Sequence, residues 1–217
     1  MGAKIKGAGS SQIEIEGVKQ LKDVSYNIMS DRIEAGTFLC IAAMNHSNII
    51  VKNIDEDHII PIIDKLEEAG CELQIEDRQI QIKAPKKLKS VNIKTMPYPG
   101  FPTDMQAIIG AVLCVASGTS IIVENIFENR YKYTAELQKM GANINIEGKT
   151  AIIKGVKKLS GTKVRVTDLR GGASLVLGGL AAKGTTNVED IQYILRGYEN
   201  LDGKLKNLGA EIYTVKD

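Results

Sequence analysis

Hydrophobic and polar positions follow one order three times along the chain. Short stretches alternating polar and apolar residues come first, then a run apolar on nearly every side, then a stretch with one apolar face. Alternation with period two predicts a half-covered strand, an all-apolar run a helix buried all round, and a 3.6-residue period a helix with one wet face. Each unit therefore opens with two strands, as in Ala142–Glu147 and Ala151–Lys154, joined by a turn containing Gly148. A third strand follows at Ser25–Met29, Val91–Thr95 and Lys163–Thr167. Buried helices are predicted over Glu34–Met44, Met105–Ala116 and Gly172–Ala182, whose alanines and glycines suit close packing. A fourth strand (Ile49–Asn53, Ser120–Asn125, Thr186–Glu189) leads to an amphipathic helix, as in Tyr131–Met140 and Tyr198–Leu208. In the first unit that helix carries Pro61, which fits a first turn.

The units are marked off by a recurring tetrapeptide: Gly2-Ala3-Lys4-Ile5, Gly70-Cys71-Glu72-Leu73, Gly141-Ala142-Asn143-Ile144 and Gly209-Ala210-Glu211-Ile212. The later three follow helical tails (Leu66–Ala69, Leu137–Met140, Leu205–Leu208), where a glycine is the expected helix stop. The spacing is too long for a solenoid repeat and suits a small α/β unit. The predicted fold is α/β: one domain over 1–217, built of three βαβαββ units (about 2–69, 70–140 and 141–208) around a pseudo-threefold axis, with a closing strand at 209–216. The opening hairpin, Ala3–Lys6 with Gln12–Glu16, is the same kind of unit, and Ile212–Val215 is expected to pair with Ile13–Ile15.

Composition narrows the function. A net charge of +2 and few aromatics (no Trp, three Phe, seven Tyr) argue against nucleic acid and against an anionic membrane surface. The lack of a membrane-length apolar run or a signal peptide predicts a cytoplasmic protein. Cys40, Cys71 and Cys114 lie in apolar patterns without a CxxC pair, so buried free thiols are expected, with no metal site and no cofactor.

Candidate chemistry clusters where strands run into helices. Met96-Pro97-Tyr98-Pro99-Gly100-Phe101-Pro102-Thr103-Asp104-Met105-Gln106 is a stiffened loop ending at a helix start, so Thr103 or Asp104 is either an N-cap or, for Asp104, a held catalytic carboxylate. Ser30-Asp31-Arg32, Thr167-Asp168-Leu169-Arg170-Gly171-Gly172, Phe127-Glu128-Asn129-Arg130 and Ile194-Leu195-Arg196-Gly197-Tyr198 fall at comparable junctions. A threefold arrangement would bring Asp104, Asp168, Arg130, Arg170 and Arg196 to one surface. Helix starts and arginine forks attract phosphate or carboxylate. Gly171-Gly172 matches neither a Walker A nor a Rossmann spacing.

Pro97–Gln106, Phe127–Arg130, Thr167–Arg170 and Arg196-Gly197-Tyr198-Glu199, together with Asp31–Phe38, resemble UDP-N-acetylglucosamine enolpyruvyl transferase, the 1-carboxyvinyltransferase that opens peptidoglycan synthesis. The resemblance runs along essentially the whole chain and implies one domain of the inside-out α/β barrel (EPSP synthase-like) fold. It implies a part in cell-wall biogenesis, cell shape and cell division, with UDP-N-acetylglucosamine and phosphoenolpyruvate as small-molecule substrates. It implies Asp104 as the base at the sugar 3-hydroxyl, and Ile126 and Phe127 as contacts to the UDP-sugar, with Thr103 among the substrate-binding residues. Arg130 and Arg196 would be cations near substrate and the phosphate, and Asp168, Leu169 and Arg170 a loop at the reaction centre. Leu195 departs from the family's Asp before Arg-Gly-Tyr-Glu. The family uses six units, and the three here correspond to its C-terminal half, so its reactive cysteine would come from a missing N-terminal half or a second chain. The chain alone is expected to be inactive. The alternatives are a 3-phosphoshikimate 1-carboxyvinyltransferase fragment and a non-catalytic UDP-sugar-binding remnant.

Overall fold

The computed structural model describes residues 1–215, and its backbone contacts divide the chain into two compact units, Met1–Ser30 and the remainder from Asp31 onward. The sequence predicts one domain over 1–217. The division falls where Gly17–Ser30 takes neither helix nor strand. The Met1–Ser30 part contains a hairpin: β1 (Lys4–Lys6) pairs antiparallel with β2 (Glu14–Glu16), Ile5 facing Ile15.

The remainder contains α1 (Arg32–Met44), β3 (Asn48–Lys52), α2 (Ile60–Glu68), β4 (Glu72–Glu76) and β5 (Gln79–Lys83). Then come β6 (Ile93–Lys94), α3 (Gln106–Leu113), β7 (Thr119–Val123), α4 (Tyr133–Lys139), β8 (Asn143–Glu147) and β9 (Thr150–Lys154). Last are β10 (Lys163–Arg165), α5 (Leu169–Ala181), β11 (Asn187–Glu189), α6 (Gln192–Leu195) and α7 (Leu201–Asn207). Apart from two strands, the helix and strand order follows the hydrophobic pattern, and Pro61 sits in the first turn of α2 as predicted.

The largest sheet described is ordered β6-β7-β9-β8, joining β6 and β7 of the middle unit to the opening hairpin of the third, with β6 parallel to β7 and the other pairs antiparallel. In the same way β3 of the 2–69 unit joins the opening hairpin of the middle unit in the order β3-β5-β4, and β10 runs parallel to β11 in the third. Two predicted strands are corrected. Ser25–Met29 forms none. Its counterparts are only two and three residues long and pair along one side, so this is the weakest position of each unit. Glu211–Val215 also forms none, so the expected ladder of Ile212–Val215 with Ile13–Ile15 is not formed, and Lys216 lies outside the described residues. Alternation alone predicts a strand's face, whereas a ladder also needs a neighbouring backbone to hydrogen-bond.

The core is the mutual contact of α1, α3 and α5. Leu39, Ala42 and Ala43 of α1, Ile108, Ile109 and Ala111 of α3, and Ala173, Leu175 and Leu177 of α5 are all buried. Small residues let the axes approach. The helix stops also follow the pattern: Gly70 (φ +99) and Gly141 (φ +92) each close a Schellman motif. Gly70 N–H donates to Glu67 O and Cys71 N–H to Leu66 O, and the same bonds run from Gly141 to Gln138 and from Ala142 to Leu137. Cys40, Cys71 and Cys114 are free and buried. Burial pushes the Cys71 thiol up to about 11 and Cys114 up to about 12, so neither carries a thiolate at neutral pH.

The packing at Gly172 makes a stability prediction. A Cβ at that position would lie 2.6 Å from both Ile194 Cγ1 and Val166 Cγ1. Gly172→Leu should lower unfolding free energy by about 1–3 kcal/mol through overpacking, measured by urea denaturation. An unchanged midpoint would show that α5 is not packed on its neighbours as described.

Candidate active site

The proline-rich loop before α3 is held by its own backbone. Gly100 N–H donates to Pro97 O at 2.8 Å, Met96 N–H to Phe101 O at 3.0 Å and Met105 N–H to Pro102 O at 3.0 Å. The last bond closes a single 3-10 turn, Thr103–Met105, ahead of α3. Its cap position is Pro102, and no side chain caps it. The N-cap reading of Thr103 and Asp104 is therefore overturned, because the extra turn carries both residues past the cap. Thr103 Oγ1 instead donates to Glu124 Oε2 at 2.9 Å.

Asp104 faces two arginines from different units. Arg130, ahead of α4, donates through Nη2 to Asp104 Oδ1 at 2.5 Å. Arg170, in the first turn of α5, donates through Nη2 to Oδ2 at 3.1 Å. The aspartate side chain is 40% exposed, while Arg130 and Arg170 are 19% and 13% exposed. Aromatic rings back both guanidinium groups: Arg130 lies over Phe127 at 4.8 Å and Arg170 over Tyr198 at 5.6 Å. Tyr198 is fixed from behind by α1. Thr37 Oγ1 donates to Ile33 O at 2.7 Å, so the 2.9 Å contact with Tyr198 is a donation from the phenol. All three units thus contribute to the arrangement.

Burial pushes the Asp104 carboxyl upward, but the charges and hydrogen bonds of Arg170 and Arg130 outweigh it and hold the group below the ordinary carboxylate range. Asp104 is ionised at neutral pH. Arg170 Nη1 is buried with no acceptor among the described residues, leaving one edge of this cation unsatisfied.

The other predicted residues fall around this centre. Asp168 caps α5, its Oδ1 accepting from Gly171 N–H at 2.7 Å, and so fixes the turn that aims Arg170. Leu169 fills the space beside Gly197, where a Cβ would lie 2.8 Å from Leu169 Cδ2. Ile126 and Phe127 are exposed on the loop leading to Arg130. Arg196 is the exception: it is exposed at the end of α6 with no ion pair among the described residues. The predicted convergence thus joins Asp104, Arg130 and Arg170, and Arg196 stands outside their bonds. Among the described residues no group of His, Cys, Asp or Glu could hold a metal.

Two residues escape the sequence reading. Tyr198 looks like an ordinary apolar position, and only the fold shows its ring under Arg170. Glu124 carries a legible signal: it shares the inward parity of Ser120 and Ile122, both buried, at the end of β7.

A model of the EPSP synthase (3-phosphoshikimate 1-carboxyvinyltransferase) family matches residues 1–205. The chain is 52% identical over 213 residues to UDP-N-acetylglucosamine 1-carboxyvinyltransferase 1 of Caldanaerobacter subterraneus subsp. tengcongensis, a match covering 98% of this chain and 51% of that protein. It is 50% identical to UDP-N-acetylglucosamine 1-carboxyvinyltransferase of Desulfofundulus thermocisternus, covering 98% of this chain and 88% of that one. Among solved structures, the enolpyruvyl transferase NikO from Streptomyces tendae superimposes with a TM-score of 0.86 at 26% identity, over 98% of this chain and 51% of that chain. The chain spans about half the length of the first curated relatives it matches. It belongs to the EPSP synthase family and, within it, to the UDP-N-acetylglucosamine 1-carboxyvinyltransferases.

Proposed function

We propose that these residues are the C-terminal domain of a transferase that moves enolpyruvyl from phosphoenolpyruvate to the 3-hydroxyl of UDP-N-acetylglucosamine. The observation that carries the reading is the Asp104 carboxylate clasped by Arg130 and Arg170. The relatives named for this activity, about half of whose length this chain spans, support it over the 3-phosphoshikimate alternative. The work belongs to peptidoglycan synthesis, in the cytoplasm, and through it to cell shape and division. The three units form a single domain, of which the 2–69, 70–140 and 141–208 division is the working map.

In this reading the sugar 3-hydroxyl gives its proton to Asp104 as its oxygen bonds to C2 of phosphoenolpyruvate. The methylene carbon takes a proton from an acid outside these 217 residues and becomes a methyl; phosphate then leaves as that methyl gives a proton back, which restores the double bond in the transferred enolpyruvyl group. A carboxylate held by two arginines is a poor base, because the same charges that lower its proton affinity must be overcome when it accepts the proton. Incoming phosphate and carboxylate oxygens resolve this. They draw the arginines off Asp104, satisfy the unpaired edge of Arg170, and return the carboxylate to a basic state. Arg196, exposed and unpaired among the described residues, adds a further cation for the phosphate. Asp168 and Leu169 hold the Arg170 turn at the transferred group, while Thr103, Ile126 and Phe127 border the UDP-sugar.

Two measurements follow. The 217-residue chain alone should release no phosphate from the two substrates. Adding the N-terminal half of a curated relative should restore release, and Asp104→Asn should then reduce it by about two to four orders of magnitude, the range for a lost general base. Turnover by the chain alone, or restored turnover indifferent to Asp104→Asn, would overturn the reading. Weak UDP-sugar binding with no turnover under any complementation would favour the binding remnant.

The second measurement is a carbon-13 titration of the Asp104 carboxyl. Its folded value is depressed, so the ion pair contributes stability above the unfolded-state value of about 3.9 and loses it as pH falls through the lower folded value. At its exposure the contribution should stay within about 1 kcal/mol. Phosphoenolpyruvate should move the midpoint upward; a midpoint that stays put with ligand bound would show that the arginines do not transfer to it.

A further inference from the structure

Glu124 is 1% exposed, the one acidic residue among the fully buried positions described, and it has no cationic partner among the described residues. A carboxylate out of water is costly unless each oxygen is met by donors. Glu124 meets four. Oε1 accepts from Thr95 Oγ1 at 2.8 Å, from Ile126 N–H at 2.8 Å and from Phe127 N–H at 3.2 Å. Oε2 accepts from Thr103 Oγ1 at 2.9 Å. Thr95 extends the set, its Oγ1 accepting from Asn125 N–H at 2.8 Å.

These four donors come from three pieces of chain. Thr95 directly follows β6, Thr103 immediately precedes Asp104, and Ile126 and Phe127 open the loop that ends at Arg130. The two chain segments leaving Glu124 therefore meet again at the Asp104–Arg130 ion pair. We infer that Glu124 is the positioning residue of the site: its buried carboxylate ties the Asp104 loop to the Ile126–Arg130 loop and sets their separation. The role is hydrogen bonding rather than charge. A glutamine in its place keeps the Oε1 bonds, and its Nε2 donates to the Thr103 hydroxyl, which has lone pairs to accept. An alanine leaves two peptide N–H groups and two hydroxyls without this acceptor. The geometric claim stands by itself; its consequence for sugar-nucleotide binding rests on the function proposed above.

The test compares wild type, Glu124→Ala, Glu124→Gln and Thr103→Val in the full chain. In Glu124→Ala the amides of Ile126 and Phe127 should exchange faster by about tenfold or more, the scale of one lost net hydrogen bond, while the α3 and α5 core amides keep their protection. The Asp104 carboxyl should titrate closer to the ordinary range in Glu124→Ala and in Thr103→Val, and as in wild type in Glu124→Gln. UDP-N-acetylglucosamine affinity should fall about tenfold in Glu124→Ala and stay near wild type in Glu124→Gln. Wild-type exchange and titration in Glu124→Ala would overturn the inference, and so would a Glu124→Gln that behaves like the alanine variant. If Glu124→Ala does not fold, an Asp104 titration unmoved by Thr103→Val overturns it. Absence of sugar-nucleotide binding by wild type sinks the functional reading only, since exchange and titration still decide the role of Glu124.

Discussion

The structure from Asp31 onward depends on three helices that bury one another. Because α1, α3 and α5 are apolar on nearly every side, no face can be turned to water without exposing a large apolar area. They must therefore be enclosed, by each other and by the sheets and amphipathic helices. Helices buried along their length still have polar ends. The first turn of each carries N–H groups that need acceptors, so polar chemistry collects at the junctions where strands enter these helices.

The three junctions answer that need differently. At α1, Asp31 accepts from Ile33 and Glu34 N–H and is spent as a cap. At α5, Asp168 does the same for Gly171 N–H. At α3 the proline-rich loop adds a 3-10 turn, and Asp104 makes no capping bond. The third carboxylate is left available to arginines from its own unit and the next. One junction of a repeated scaffold has thus exchanged a capping bond for two ion pairs. The stiff approach, with Pro97, Pro99 and Pro102, limits the chain freedom that an uncapped start would otherwise gain.

Much of this was legible in the residues. The three units, their buried helices and their glycine stops follow from periodicity and from the recurring Gly-Ala-x-Ile pattern, because both reflect local backbone demands. The strands Ser25–Met29 and Glu211–Val215 did not follow, since a strand exists only with a partner and alternation says nothing of one. Asp104, Arg130 and Arg170 were named from junction positions and from the family resemblance. The cap ambiguity at Asp104 was resolved only by coordinates, because one added 3-10 turn decides it. The roles of Tyr198 and Glu124 were not legible for a related reason: they lie in contacts to distant segments, and parity along β7 signals only that Glu124 points inward.

The imbalance of its charges sets the Asp104 cluster apart from an ordinary structural ion pair and is what the proposed function draws on. Two guanidinium groups face a single carboxylate, and each is backed by an aromatic ring that replaces part of its hydration without neutralising it. A structural ion pair would be expected to satisfy the donors it buries, yet Arg170 Nη1 has no acceptor among the described residues. The arrangement holds surplus positive charge and surplus donors close to an ionised acid. An anionic ligand is the one partner that improves all of these terms together. It takes up the spare donor, balances the second cation, and by loosening the clasp on Asp104 raises that group's affinity for a proton. In the proposed function, binding and base strength are thereby coupled through the same two arginines, so the carboxylate becomes able to take the sugar hydroxyl proton only once the anion has engaged them.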